Sequence, residues 1–377
     1  MYPYIAAVLV TLFLASVTRF YHPETGFTSL IAFPEDDTFT FAALRSVPHH
    51  QYVGQGGYDG QFYAARALDP LFSDPETDRA MDLAPFRARR ILFSWTAYVA
   101  GLGRPAWILE AYALQNVVCW LLLAVVLTRW LPPTSARGLA LWAACLFSHG
   151  MLWSVRLSLL DGPSLLLIAW AVAAVERGRP LLSAVIVGIA GLARETNLLA
   201  ISAQPVPADR RTTMRLAIAF VVAAVPVLIW YDFLRSIYRA SLLTDTHPLA
   251  LPGTGLATVW SAVVPGVARN GLSSPDGYAF FLLAALAVQA GYLVFRREYA
   301  MPWWRIGIAY ALLMLFLHPE LVHPRTGAIS RVLLGMTVGF NVVLATERRA
   351  SRFWPWFVLG NLHLIPAWRV LPLVAWP

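Results

Sequence analysis

Along this chain, polar positions are confined to short intervals between long apolar runs, with one large exception. A first apolar run covers Tyr4 to Thr18 and ends at Arg19. Others fall at about 106–130, 137–154, 163–177, 181–193, 197–208, 213–231, 277–295, 303–317, 328–346 and 354–370. Runs of this kind predict membrane-spanning helices, so the pattern predicts an all-α, polytopic transmembrane helix bundle of about 10–11 spans. The first run has no positive charge ahead of it and no small-residue cleavage site behind it. It reads as a retained span rather than a cleaved signal. The stretch from Arg87 to Gly103 is apolar over only about 13 residues between charges, which suits a short span or a helix lying in the interface. The exception is the polar segment 21–87. It carries ten of the chain's 21 acidic residues. A segment of that length without obvious spans is uncommon and usually functional.

Composition agrees with the pattern and narrows it. Of the 377 residues, 58% are apolar and 13% charged, with a mean hydropathy of +0.59. This excludes an ordinary soluble enzyme, a disordered chain and a secreted disulfide scaffold. All 29 basic residues are Arg, which suggests a GC-rich bacterial genome. They are scattered between apolar runs, so nucleic-acid binding is a poor reading. They serve instead as a topology signal, because cytoplasmic loops collect Arg. Arg129 and Arg137, Arg177 and Arg179, Arg210, Arg211 and Arg215, Arg296 and Arg297, and Arg348, Arg349 and Arg352 then lie inside. The N-terminus is cytoplasmic in this arrangement. The segments 21–87 and 232–276 face outside as the first and second outer loops of a single integral-membrane domain, residues 1–377. The scheme closes only if 87–103 does not cross, and if 181–208 is a broken pair of short helices whose tip at Arg194-Glu195-Thr196 points outward. Cys119 and Cys145 sit inside apolar runs and read as packing residues.

With this topology the unusual polar residues gather on the outer side: the 21–87 loop, Arg156 and Asp161, Arg194 and Glu195, and the group His318, Glu320, His323, Arg325. Charges at membrane depth are expensive and commonly line an aqueous cavity, although loop-end charges are also met as solvated interface residues. The run from His318 to Arg325 invites a metal reading. A histidine spacing of five with two prolines does not match a helical ligand pair, so no metal site is expected. The sharpest feature is Gly57-Tyr58-Asp59-Gly60-Gln61-Phe62-Tyr63, followed by Ala64-Ala65-Arg66. An Asp at the start of an aromatic helix is an N-cap, or a carboxylate held there for chemistry.

This stretch is similar to the WDG-type element in the first outer loop of PIG-V-like mannosyltransferases and related bacterial cell-surface glycopolymer proteins. The chain as a whole resembles their class, the GT-C membrane glycosyltransferases. Asp59 takes the place of the motif's Asp, and Tyr58 stands where Trp is common. Gly60, Phe62 and Tyr63 match the positions that follow. Arg194-Glu195-Thr196 resembles the RET-type element of bacterial relatives. In one respect the chain departs: Glu35-Asp36-Asp37 lies nearer the first span, where other members of the class keep a catalytic carboxylate. Asp36 and Asp37 therefore compete with Asp59.

The resemblance implies transfer of a hexosyl or mannosyl unit from a polyprenyl-phosphate donor to a cell-envelope glycan or lipid acceptor at the outer face of the bacterial inner membrane. It implies no tightly bound metal or other cofactor. An outer-loop carboxylate would serve as general base. Arg194, Arg325 and Arg331 are candidates for the donor phosphate. Tyr58, Phe62 and Tyr63 are candidates for stacking on sugar, and Arg156 and Asp161 for shaping the cavity. Gln61, Arg66, Glu195, His318, Glu320 and His323 complete the expected substrate-binding set. Membrane lipid is a partner throughout. Two other classes fit the residues: a transporter or flippase for a lipid-linked or small substrate, and a non-catalytic subunit of an envelope glycopolymer assembly pathway.

Overall fold

The structure is a computed structural model, and it describes residues 1–35, 39–54, 57–238, 249–322 and 328–370. It is a helical, multi-pass membrane protein. Among the described residues, four helices are long and apolar enough to cross a bilayer: Tyr2–Phe20 with its terminal 3-10 turn, Pro105–Leu127, Arg210–Tyr238 and Pro275–Arg296. A fifth crossing is available to Ala136–Leu146 and His149–Arg156, which are bent by 45° at a short break. Asp161–Glu176 is almost wholly buried, and shorter apolar helices stand beside it at Pro180–Gly191, Pro302–Phe316 and Leu334–Leu344. Every apolar run of the sequence is therefore helical, but several are divided. The 354–370 run becomes Ala350–Gly360 and Leu364–Ala367, and the 328–346 run becomes Ala328–Val332 and Leu334–Leu344.

Local chemistry sets the helix starts. Pro105, Pro180, Pro275 and Pro302 each open a helix, where the missing N–H costs nothing and φ is already helical. Ser135 and Ser274 cap theirs by accepting from Gly138 N and Gly277 N. Large apolar side chains such as Val125, Leu228 and Ile229 are exposed, as expected where the surrounding solvent is lipid. Arg210–Tyr238 buries only Ala219, Ala223, Val227, Trp230 and Leu234, a single stripe three or four residues apart. That stripe lies on the helix Pro180–Gly191. A side chain at Gly188 would meet the Ala223 carbonyl at 2.9 Å, and one at Gly191 would meet Val227 at 2.6 Å, so the small residues allow the approach.

Side-chain contacts define two ends. At one end, Arg129 and Trp130 both bond Glu176, at 2.8 and 2.7 Å. Arg137 donates to the carbonyls of Glu347 and Arg348, and Arg296 pairs with Glu347 at 3.3 Å. Arg305 donates to the carbonyls of Ser202 and Ala203, and Gln204 to that of Pro180 at 3.0 Å. Arg129, Arg137 and Arg296 are thus tied to the segments around Glu176 and Glu347.

The bond from Gln204 to Pro180 closes the base of a hairpin. One arm is the 12-residue helix Pro180–Gly191, and the other is a nine-residue 3-10 helix, Glu195–Ala203. Asn197 staples the tip by donating to Ala190 O at 2.8 Å. Twelve helical residues rise about 18 Å, against about 30 Å of bilayer hydrocarbon, so the hairpin turns back partway through. Its tip carries Arg194 and Glu195.

The polar segment 21–87 folds over the other end. It contains the short helices Ala42–Arg45, Gly60–Leu68, Pro75–Arg79 and Ala84–Ala88. Two-residue strands Phe33–Pro34 and Gln51–Tyr52 pair in parallel. Within 87–103 the helix Leu92–Ala100 has nine residues, about 14 Å, which is too short to cross. It begins at the hairpin, where Leu92 N donates to Leu192 O.

Candidate active site

A cavity of about 940 Å³ opens where the polar segment meets the hairpin tip. Its lining includes the charged residues Asp59, Arg87, Arg89, Arg90, Asp161, Arg194, Glu195, Glu320 and Arg331. It also includes apolar side chains, among them Leu198, Phe220, Leu313 and Leu317. Phe220 belongs to the long helix Arg210–Tyr238 and is half exposed.

Asp59 directly precedes the helix Gly60–Leu68, but its side chain does not cap it. Oδ1 instead accepts from Arg87 Nη2 at 2.9 Å. Gly60 makes this placement possible. A Cβ there would stand 2.3 Å from the carbonyl oxygen of Leu157, so only glycine lets the helix start this close to the 157–160 turn. Partial burial pushes the Asp59 carboxyl up, but the charges of Arg87 and Arg331, the Arg87 hydrogen bond and Arg90 together hold it below the usual carboxylate value. It is ionised at neutral pH.

Arg87 is the hub of this wall. Its Nε and Nη2 bond Asp82 at 2.9 and 2.7 Å, and its guanidinium lies 4.7 Å over the Phe62 ring. Arg90 pairs with Glu195 at 3.2 Å and donates to the Tyr63 hydroxyl at 3.2 Å. Glu195 also accepts from Tyr231 at 3.2 Å, which ties the hairpin tip to the long helix. Arginines and carboxylates are matched along this wall.

The facing wall is different. Asp161 accepts from Arg194 through Oδ1 and from Arg331 through Oδ2, the latter at 3.0 Å. Arg331 also donates to the Tyr58 hydroxyl at 2.8 Å. Here two guanidiniums meet on one carboxylate, a grouping of donors of the kind that binds anions.

The cavity thus brings together Tyr58, Asp59, Tyr63, Asp161, Arg194, Glu195, Glu320 and Arg331 of the residues singled out from the sequence. Others lie elsewhere. Arg66 is buried away from the cavity, paired with Asp78 and, at 3.6 Å, Asp69, and stacked 4.0 Å over Phe72. Arg156 is buried beneath the polar segment, donating to Tyr52 at 3.1 Å and lying 4.4 Å over Phe20. Gln61 and Phe62 are buried behind the wall, Phe62 edge-on to Phe39. The His318 ring stands 3.9 Å from Glu320 outside the lining. Asp36, Asp37, His323 and Arg325 lie outside the described residues. Among the described residues, no group of three or more His, Cys, Asp or Glu is placed to hold a metal.

Sequence reasoning missed Arg87, Arg89 and Arg90 as cavity residues. The signal was their position: the Arg87-Ala88-Arg89-Arg90 cluster closes the acidic segment, and the acids it neutralises all precede it or sit at the hairpin tip.

No family model matches the chain, and no curated protein matches it. Among solved structures, the chain is similar to ArnT from Cupriavidus metallidurans in the apo state, at 14% identity, covering 95% of this chain and 76% of that one, with a TM-score of 0.36.

Proposed function

We propose that the protein is a membrane glycosyltransferase of the GT-C type. It would move a sugar from a polyprenyl-phosphate donor to a cell-envelope glycan or lipid at the outer face of the bacterial inner membrane. The observation that carries the reading is the cavity's mixed lining: an ionised carboxylate, two arginines joined on Asp161, and apolar side chains such as Leu198, Phe220 and Leu313. A phosphate with a long prenyl tail needs both polar and apolar partners. In the reaction the acceptor oxygen forms a bond to the anomeric carbon and gives its proton to Asp59. The bond from that carbon to the phosphate oxygen breaks, and the prenyl phosphate leaves with the electron pair. Arg194 and Arg331 meet the charge that develops on it. A carboxylate with a depressed pKa suffices as base, because the attacking hydroxyl becomes acidic as the new bond forms. Tyr58, partly exposed in the lining, offers a ring on which a sugar would stack, whereas Tyr63 is buried and holds Arg90 through its hydroxyl.

The test is reconstitution of the full chain in liposomes with a labelled polyprenyl-phosphate sugar and envelope lipid extract. Labelled glycan in the acceptor fraction, with stoichiometric prenyl phosphate released, supports the reading. Movement of the donor across the bilayer without bond formation supports a flippase instead. Neither activity, together with loss of a glycopolymer complex on deletion, supports an assembly subunit. A comparison of envelope glycans between deletion and parent strains would identify the acceptor.

A further inference from the structure

Asp161 joins Arg194 and Arg331, and the proposed function gives it no chemical step. Its side chain is 3% exposed, too enclosed to meet an acceptor. It opens the helix Asp161–Glu176, where the helix dipole favours a negative charge. Each of its oxygens serves a different arginine. Arg194 arrives from the hairpin tip and Arg331 from the helix Ala328–Val332, so three separate elements meet on this one group. Without it, two guanidiniums at one end of a cavity would repel each other.

Resting on the donor assignment above, we infer that Asp161 is a positioning residue: it holds Arg194 and Arg331 side by side as a paired anion site for the donor phosphate. Arg331 bonds Asp161 through Nη1 and the Tyr58 hydroxyl through Nη2, so its guanidinium is held from two sides. On Arg194, Nε is buried without a hydrogen-bond partner, an N–H that the Asp161 pairing does not use.

A carboxylate between two arginines can act in two opposite ways, and they predict opposite signs. If Asp161 merely neutralises the arginines, its removal strengthens anion binding. If it positions them, its removal weakens anion binding despite the gain in positive charge. The experiment uses the purified full chain in detergent, with farnesyl phosphate and farnesol as probes and intrinsic tryptophan fluorescence as readout. The wild type is expected to bind farnesyl phosphate more tightly than farnesol. Asp161→Asn should cut that preference by about tenfold or more, the size of one charge-assisted contact, while farnesol binding stays put. Asp161→Glu should restore part of the preference. A preference in Asp161→Asn equal to or above wild type overturns the positioning role and leaves the proposed function standing. Absence of any preference in the wild type overturns the phosphate assignment itself, and the inference with it. A fall in the affinity for farnesol equal to that for farnesyl phosphate would mean that the substitution only loosens the fold, and also overturns the role.

Discussion

Replacing Asp59 with Asn should separate chemistry from stability. Asp59 accepts a single bond from Arg87 at 2.9 Å, whereas Asp82 takes two, at 2.9 and 2.7 Å. After the substitution Arg87 keeps Asp82, and the Asn amide oxygen can accept the same N–H. The side chain of Asp59 is 35% exposed, so solvent screens the pair, and its loss should cost less than about 1 kcal/mol. Removal of a general base lowers turnover by about 10²–10⁴-fold. That corresponds to about 3–5 kcal/mol of barrier at about 1.36 kcal/mol per tenfold. The two numbers differ enough to be read in one purified sample. Thermal unfolding in detergent reports the first, and release of prenyl phosphate from the donor reports the second. Turnover above about a tenth of wild type at normal abundance would refute the assignment. Parallel Asp36→Asn and Asp37→Asn variants would then show whether the base lies upstream.

Five further outcomes are expected. In Arg87→Gln, Asp59 loses its nearest cation while burial still pushes its carboxyl up, so the acid limb of the pH–rate profile should move to higher pH; an unmoved limb would sink the electrostatic account. The depressed pKa also stabilises the wild type: this contribution is whole above the usual value of 3.8 and is lost as pH falls through the lower folded value, so unfolding scans of wild type and Arg87→Gln should converge on acidification. Gly60→Ala should lower thermal stability by about 1–3 kcal/mol, because its Cβ would meet a backbone carbonyl that has no room to yield; a neutral result would contradict the close approach at Leu157. Arg66→Ala should cost about 3 kcal/mol by removing the buried cation shared by Asp69 and Asp78, which then keep their bonds to Ser73, Asp74 and Tyr238, without a selective change in donor affinity, measured by unfolding and KM together. Cysteines placed at His50 and Arg104 should react with an impermeant maleimide from outside and one at Thr134 only after lysis; labelling of position 104 only from inside would require Leu92–Ala100 to cross.

Much of this architecture is legible in the sequence, because lipid-facing helices advertise themselves by unbroken apolarity. The runs at 106–130, 213–231 and 277–295 emerge nearly residue for residue as Pro105–Leu127, Arg210–Tyr238 and Pro275–Arg296. The motif around Asp59 and the interruption at Arg194-Glu195 were visible for a related reason: a charge inside apolar sequence needs an explanation. Partnership is what a linear pattern hides. Arg66 and Arg87 sit in similar acidic surroundings in sequence, yet one is consumed by the fold and the other borders the cavity. The difference is made by Tyr238 and Asp78 on one side and by Asp59 on the other, contacts that span up to 172 positions. Secondary-structure type was also hidden at 197–208. Apolarity there suggests a span, but the segment returns as a 3-10 arm at the base of which Arg305 collects two carbonyls.

That returning arm makes the hairpin a fixed gauge. Its two strands of chain are pinned together at Gln204–Pro180 and again at Asn197–Ala190, so residue count alone decides how deep Arg194 and Glu195 stand. On the proposed function, the depth at which a donor is met is then a property of the protein and not of the lipid around it. A thicker or thinner bilayer would change how far a prenyl phosphate must travel to the arginines, while the arginines stay where they are.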